Sequence, residues 1–208
     1  MSVDSLALRA LNDEGRRLIF TEARTKQFFH NTPVTADKLK ELYELTKYGP
    51  TGANCCPLRV VFVQSAEGKA KLAPLAMDLN REKILGAPVT AILAFDTEYF
   101  EHLPTLCPPL AFYKDVLKNS PDRGAATGTR SAHLLGGYFI TAARAVGLDA
   151  GPMGGFTPED VDKVFFASET DARKHWKSFL LVNLGYGDNS KVYPRGHRFG
   201  FDEVCRIE

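Results

Sequence analysis

The chain has 208 residues, of which 44% are hydrophobic and 25% charged, as in a globular protein that buries one sizeable core. Its 26 Lys and Arg nearly balance its 25 Asp and Glu, and a net charge of +1 gives no indication of a nucleic-acid or anionic-membrane partner. The apolar runs are far shorter than the ~20 residues of a membrane-spanning helix, and the acidic N-terminus does not resemble a signal peptide. We therefore expect a cytoplasmic protein with one domain over residues 1–208.

The cysteines indicate the same compartment. Two of the four, Cys55 and Cys56, are adjacent, and no C-x-x-C pair occurs. The five histidines are scattered, without metal-ligand spacing. This pattern predicts free thiols in a reducing compartment and no metal site.

The N-terminal part of the chain predicts helices. Residues 2–20 indicate one broken helix or two short helices, interrupted near Gly15. A stronger pattern over residues 35–48 has Thr35 as its cap, and Gly49 with Pro50 ends it. A third helix is expected over residues 65–75.

Three apolar segments predict buried strands, at residues 59–64, 89–95 and 179–185. Helical patterns separate them, so crossover connections are expected. We therefore predict a central sheet that helices cover on both faces.

Between the second and third strands lies an unusual region. Residues 97–128 mix aromatic residues with prolines and predict an irregular covering insertion. A long helix is expected over residues 129–147, in which adjacent Gly136 and Gly137 indicate the close approach of another backbone. Another helix begins at residues 157–160, where a cap, a proline and two acids follow one another.

Chemistry-bearing residues are concentrated in five segments, which the sequence assigns to loops. Arginine and lysine suit a phosphate or an anionic ring edge, asparagine offers donors and acceptors, and glycine lets a backbone approach a planar ligand. The segments are residues 23–27, 49–57, 80–83, 151–156 and 194–198.

In their order and placement these segments resemble the FMN-dependent nitroreductase family over nearly the whole chain. Within it, the chain is most similar to the branch that reduces malonic semialdehyde in bacterial pyrimidine degradation. The departures from the commoner pattern favour that branch too, since Cys56-Pro57-Leu58 stands where Gln-Pro-Trp is frequent. The residues that carry the resemblance are Ala23-Arg24-Thr25, Gly49-Pro50-Thr51, Ala53-Asn54-Cys55, residues 87–92, residues 147–149 and 151–153, Asn183, residues 185–188 and Ser190-Lys191.

The resemblance implies an α+β fold, an obligate-type homodimer and an FMN at the subunit interface. It assigns cofactor contacts to five groups of residues. An N-terminal motif of Arg24, Thr25 and Gln27 would contact the phosphate and the pyrimidine edge. A loop of Pro50, Thr51, Gly52 and Asn54 would lie against the flavin ring, and an N-x-x-K element of Asn80 and Lys83 would reach its pyrimidine side. The backbone of Gly154 and Gly155 would face the flavin N5 atom, and Arg195 or Arg198 in the tail would hold the phosphate.

The implied activity is that of an oxidoreductase in which NADH or NADPH reduces FMN and FMN reduces a small aldehyde. Malonic semialdehyde would give 3-hydroxypropionate, and Arg130 is the candidate that pairs with the substrate carboxylate. The proton donor stays open among His133, Tyr113 and water. A broad nitro- or quinone reductase and a non-catalytic FMN-binding protein remain alternatives.

Overall fold

The computed structural model describes residues 10–167 and 172–208, so residues 2–9 of the first predicted helical segment lie outside the described residues. Within these ranges one four-stranded sheet has the order β1-β2-β4-β3, and all three ladders are antiparallel. Its strands are Leu58–Val63 (β1), Val89–Asp96 (β2), Asp149–Met153 (β3) and Trp176–Gly185 (β4). The three predicted strands are confirmed, and β2 and β4 are neighbours although β3 lies between them in the chain.

Strand β3 was not predicted, because residues 151–156 were assigned to a loop. Gly151 and Pro152 are unusual strand residues. Pro152 is tolerated here because β3 is an edge strand, where a missing N–H need not break a ladder. Gly151 is required because an added Cβ would lie 2.3 Å from the carbonyl oxygen of Lys26, which crosses this strand.

From residue 10 to the middle of the chain the structure has four α-helices: Asp13–Arg16 (α1), Ala36–Thr46 (α2), Ala66–Leu72 (α3) and Asp78–Gly86 (α4). The hydroxyls of Thr35 and Ser65 cap α2 and α3, at 3.2 Å from Lys38 N and 3.0 Å from Gly68 N. These two helices confirm the sequence prediction.

Residues 10–12 are not helical, and Gly15 itself lies inside α1, where its N–H donates to the cap oxygen of Asn12 at 2.8 Å; π-helical turns continue to Thr21. The part of the predicted N-terminal helix before residue 10 lies outside the described residues. One prediction in this half is wrong. The segment with Asn80 and Lys83, expected in a loop, forms α4.

The second half adds Leu103–Leu106 (α5), Tyr113–Lys118 (α6), Pro121–Ala145 (α7), Pro158–Phe165 (α8) and Phe201–Val204 (α9). Short 3₁₀ turns occur at Gly52–Asn54, Ala73–Leu75, Tyr99–His102, Pro108–Leu110, Ala172–His175 and Asn189–Lys191.

Helix α7 begins at Pro121, earlier than the predicted start at Thr129, and ends at Ala145. Gly124 and Gly128 belong to the segment predicted to be irregular, yet both lie inside this helix. Glycine is required at these two positions because their neighbours leave no room for a side chain. An added Cβ on Gly128 would lie 2.7 Å from the Tyr99 ring, and one on Gly124 would lie 3.0 Å from the carbonyl oxygen of Leu117. The buried Tyr99 hydroxyl also donates to the Gly124 carbonyl at 2.9 Å.

Helices cover both faces of the sheet, as predicted. Helices α2 and α7 pack on one face through residues such as Leu42 and Phe139. Helices α3, α4 and α8 pack on the other through Leu72, Ile84 and Val161. Gly136 allows the α7 face to approach Phe179 of β4, whereas Gly137 faces open space rather than another backbone. No helix in the described ranges is both long enough and apolar enough to cross a bilayer.

Candidate functional site

A cleft of about 350 Å³ lies between the segment that follows α1 and the C-terminal tail. We call it the arginine cleft. It brings together five predicted site residues from opposite ends of the sequence, and adds one arginine from α7 that sequence reasoning missed. The six residues are Arg24, Thr25, Gln27, Arg195, Arg198 and Arg144.

The four guanidinium groups of the arginine cleft are held by backbone carbonyls. Arg24 donates to the carbonyl of Tyr193. Arg195 donates to the carbonyls of Thr21 and Ala23 at 2.8 and 3.3 Å, so it joins the tail to the N-terminal segment.

The other two arginines are bound in the same way. Arg144 donates to the Ile19 carbonyl at 3.0 Å, and Arg198 to the His197 carbonyl at 2.9 Å. No carboxylate of the described residues lies within ion-pair distance of any of the four. Burial lowers the pKa of Arg144, but an arginine side chain stays charged at neutral pH. Asp149 acts electrostatically on Arg144 without forming an ion pair with it. Four positive charges around one concavity, none of them in an ion pair with a described carboxylate, favour the binding of an anion there.

A second group forms the Asn80 cluster, which consists of Asn80 and Lys83 on α4 and the Gly154–Gly155 loop after β3. The Lys83 ammonium donates to Asn80 Oδ1 at 3.2 Å, and Asn80 Nδ2 donates to the Gly155 carbonyl at 3.0 Å. Asn80 and Lys83 share one face of α4 because residues three apart are neighbours on a helix. The structure therefore joins two predicted segments that are 75 residues apart.

The two glycines of the Asn80 cluster have different surroundings. An added Cβ on Gly155 would lie 2.8 Å from Asn80 Nδ2 and 3.0 Å from Met77 Sδ. Gly154 is exposed, and a Cβ there would meet nothing within 4 Å. The loop therefore packs its second glycine against α4 and leaves backbone accessible at the first.

The loop that contains Pro50, Thr51, Gly52 and Asn54 has an unusual backbone. Ala53, Asn54 and Cys56 have positive φ values of 53°, 52° and 40°, a left-handed conformation that is costly for residues other than glycine. Hydrogen bonds hold it: Gly52 N donates to Ser131 Oγ at 3.2 Å, and Asn54 Nδ2 donates to the Leu106 carbonyl at 2.8 Å. Strain of this kind is concentrated at functional sites.

Within one protomer this loop does not reach the other predicted residues. Asn54 lines a separate cavity of about 630 Å³, with Lys47, Arg59 and His102. In the described ranges no hydrogen bond connects residues 50–54 to the arginine cleft or to the Asn80 cluster. Burial raises the pKa of the neighbouring Cys55 thiol, which makes it a poor nucleophile at neutral pH.

Arg130 does not lie where the sequence suggested. It was expected at the start of the long helix, but α7 begins at Pro121 and places Arg130 well inside the helix. Its side chain is exposed and has no hydrogen bond or ion pair with any described residue. Of the open proton donors, His133 packs edge-on against Phe179, with ring centroids 4.8 Å apart, and Tyr113 lies under Arg123.

Comparison with known proteins identifies the fold. Among solved structures, Bacillus subtilis YdfN, assigned as a nitroreductase, has a TM-score of 0.80 and 19% identity, with 94% of this chain and 99% of that chain covered. An Exiguobacterium sibiricum protein assigned as a nitroreductase and solved with FMN has a TM-score of 0.79 and 17% identity, covering 96% and 99%. A Staphylococcus epidermidis protein assigned as an NAD(P)H:FMN oxidoreductase has a TM-score of 0.78 and 17% identity, covering 96% and 98%.

At these identities the solved structures establish the fold. The family comes from the sequence, because a model of the nitroreductase family matches residues 21–186, most of the chain and all of the secondary structure that forms the sheet. The chain belongs to the nitroreductase family.

Proposed function

We propose that this protein is an FMN-dependent oxidoreductase that takes hydride from NADH or NADPH and reduces a small aldehyde. The observation that carries the proposal is the arginine cleft, where four guanidinium groups lack carboxylate partners among the described residues. Such a cleft fits a phosphate group. The FMN-bound Exiguobacterium structure and the Staphylococcus NAD(P)H:FMN oxidoreductase share the fold and support this choice of ligand.

Strand β3 connects the two groups that would hold the ends of a phosphorylated, planar cofactor. The N-terminal segment, part of which lines the arginine cleft, crosses β3 at Ala150, whose carbonyl accepts from Lys26 N at 3.1 Å. The Gly154–Gly155 loop of the Asn80 cluster directly follows the same strand.

The proposed roles follow from this placement. Arg24, Arg195 and Arg198 bind the phosphate with Arg144, and Thr25 and Gln27 line the same cleft. Asn80 and Lys83 contact the pyrimidine edge, where the Lys83 ammonium favours the negative charge that develops on reduction. FMN, when bound, supplies the hydride chemistry. The exposed backbone of Gly154 approaches the ring, and Gly155 beside it holds the loop against α4.

We propose that a second protomer completes the site with the loop at Pro50, Thr51, Gly52 and Asn54. The accessible surface of the chain is 12650 Å², whereas a compact monomer of 23.0 kDa exposes about 9,600 Å². Leu134 and Tyr138 are exposed on α7 beside Gly137. Light scattering is expected to give a dimer, and a flavin-loaded monomer near 23 kDa would contradict this.

The proposed substrate is malonic semialdehyde, reduced to 3-hydroxypropionate, on the strength of the sequence resemblance. Arg130 is proposed to pair with its carboxylate, since this exposed cation has no partner among the described residues. The same cofactor site would also serve a broad nitro- or quinone reductase.

Two measurements test the proposal. The purified protein is expected to be yellow and to release FMN on denaturation, and a colourless protein with no spectral response to FMN would refute it. Steady-state turnover of malonic semialdehyde, a nitroaromatic and a quinone with each nicotinamide then compares the acceptors. Turnover of none of these would favour a non-catalytic FMN-binding protein.

A further inference from the structure

Asn183, a buried amide in β4, has a role that the proposed cofactor contacts do not include. Its side chain is 1% exposed, and in the sheet register it lies between Thr90 of β2 and Gly151 of β3. Its Oδ1 accepts from the Thr90 hydroxyl at 2.7 Å, and its Nδ2 donates to the Lys83 carbonyl at 3.0 Å. Both ends of the amide are thus satisfied, as a buried polar group requires.

The second of these bonds is made to the end of a helix. Lys83 lies in the last turn of α4, and its carbonyl also accepts from Ala87 N at 3.1 Å. A carbonyl oxygen has two lone pairs, so Asn183 adds a second donor to one that is already bonded at the helix end. Asn183 therefore fixes the backbone of Lys83 to the middle of the sheet.

From Lys83 the hydrogen bonds continue through the Asn80 cluster. The Lys83 ammonium bonds Asn80 Oδ1, and Asn80 Nδ2 bonds the Gly155 carbonyl. Asn183 Nδ2 also lies 3.7 Å from the sulfur of Met153, the residue directly before Gly154. One side chain thus contacts both elements that carry the cluster, α4 and the end of β3.

Packing alone does not account for an amide at this position. The surrounding face of the sheet is apolar, with Ile92 and Leu181 as neighbours in the same core. Leucine has a similar branched shape and carries no polar atoms whose burial costs free energy. An apolar side chain, however, cannot supply the second donor that the amide offers to the Lys83 carbonyl.

We infer that Asn183 is a positioning residue that sets Lys83 and Asn80 against the Gly154–Gly155 loop, and through them the affinity for the ring end of the cofactor. The inference rests on the proposed function. It predicts that cofactor affinity falls when the Asn183–Lys83 hydrogen bond is removed, and that it does not fall when the sheet is disturbed without removing this bond.

The test compares three variants in the full chain by titration with FMN and with riboflavin, which lacks the phosphate. Asn183→Leu removes both hydrogen bonds. Asn183→Asp keeps the shape and the acceptor for Thr90 but removes the donor to Lys83. Thr90→Val, the matched control, removes the hydroxyl but leaves the donor to Lys83 in place.

Both Asn183 variants are expected to raise the Kd for FMN and for riboflavin by the same factor, roughly 3- to 10-fold for one hydrogen bond. Thr90→Val is expected to lower the melting temperature but to leave both Kd values within about 2-fold of wild type. Thermal unfolding without ligand monitors folding, and the Asp variant serves if the Leu variant does not fold.

Two results would overturn the inference while leaving the proposed function intact: unchanged Kd values in both Asn183 variants, or an equal rise in Thr90→Val. A wild-type protein that binds neither ligand would instead refute the proposed function, and the inference with it.

Discussion

The sharpest test of the arginine cleft is the substitution Arg195→Gln. This guanidinium connects the tail to the carbonyls of Thr21 and Ala23 and lines the cleft, so its removal takes away both a positive charge and a connection. A charge-assisted hydrogen bond contributes about 1.5–3 kcal/mol when buried. Because Arg195 is exposed, solvent screening favours the lower end, which corresponds to a rise of about 10-fold in the Kd for FMN.

Fluorescence titration with FMN and with riboflavin measures this change in Kd and shows whether it depends on the phosphate group of the ligand. Riboflavin has no phosphate, so its Kd is expected to change by less than about 2-fold. Raised ionic strength is expected to weaken wild-type binding of FMN more than that of riboflavin, because salt screens exposed charges. Arg206→Gln is the matched control, since Arg206 also donates to two tail carbonyls but lies outside the cleft. Equal losses for both ligands, or an equal loss in Arg206→Gln, would refute the phosphate assignment.

Three further predictions concern single residues. Lys83→Ala is expected to weaken FMN binding and slow flavin reduction by roughly 10- to 100-fold, and stopped-flow traces that match wild type would remove Lys83 from the site. Arg130→Ala is expected to slow reoxidation by malonic semialdehyde but not by quinones, and an equal effect on both, or loss of flavin, would contradict its pairing with the carboxylate. Gly155→Ala is expected to cost about 1–3 kcal/mol of unfolding free energy in the apoprotein, because the added Cβ would lie 2.8 Å from Asn80 Nδ2. Gly154→Ala is the control, because a Cβ there meets nothing within 4 Å. If denaturant titration shows that the two substitutions destabilise the protein equally, the close contact between Gly155 and Asn80 does not account for the effect.

Local sequence signals predicted the elements whose structure depends mainly on residues within the same short segment. The hydroxyls of Thr35 and Ser65 cap the helices that their positions indicated. The secondary-structure prediction was wrong where a contact with a residue distant in the sequence, or the position of a strand in the sheet, determines which residue is tolerated. Glycine stands at position 128 inside a helix because Tyr99 occupies the space of a side chain, and Pro152 is tolerated in a strand because that strand lies at an edge.

The same distinction applies to the candidate site. Residue types identified the N-terminal and tail segments, but only the fold shows that Arg24 and Arg195 line one cleft. Arg144 gave no sequence signal, because a basic residue in the last turn of a helix is common. The placement of Arg130 was wrong because the start of α7 was predicted too late.

The arginine cleft has walls from both ends of the sequence, and this has a consequence for the order of events in synthesis. Arg24 precedes the whole sheet in the chain, whereas Arg195 and Arg198 follow its last strand, which ends at Gly185. A nascent chain that has not reached them has only two of the four guanidinium groups, and the carbonyls of Thr21 and Ala23 lack the donor that Arg195 supplies. The cleft is therefore completed only after the sheet has been translated.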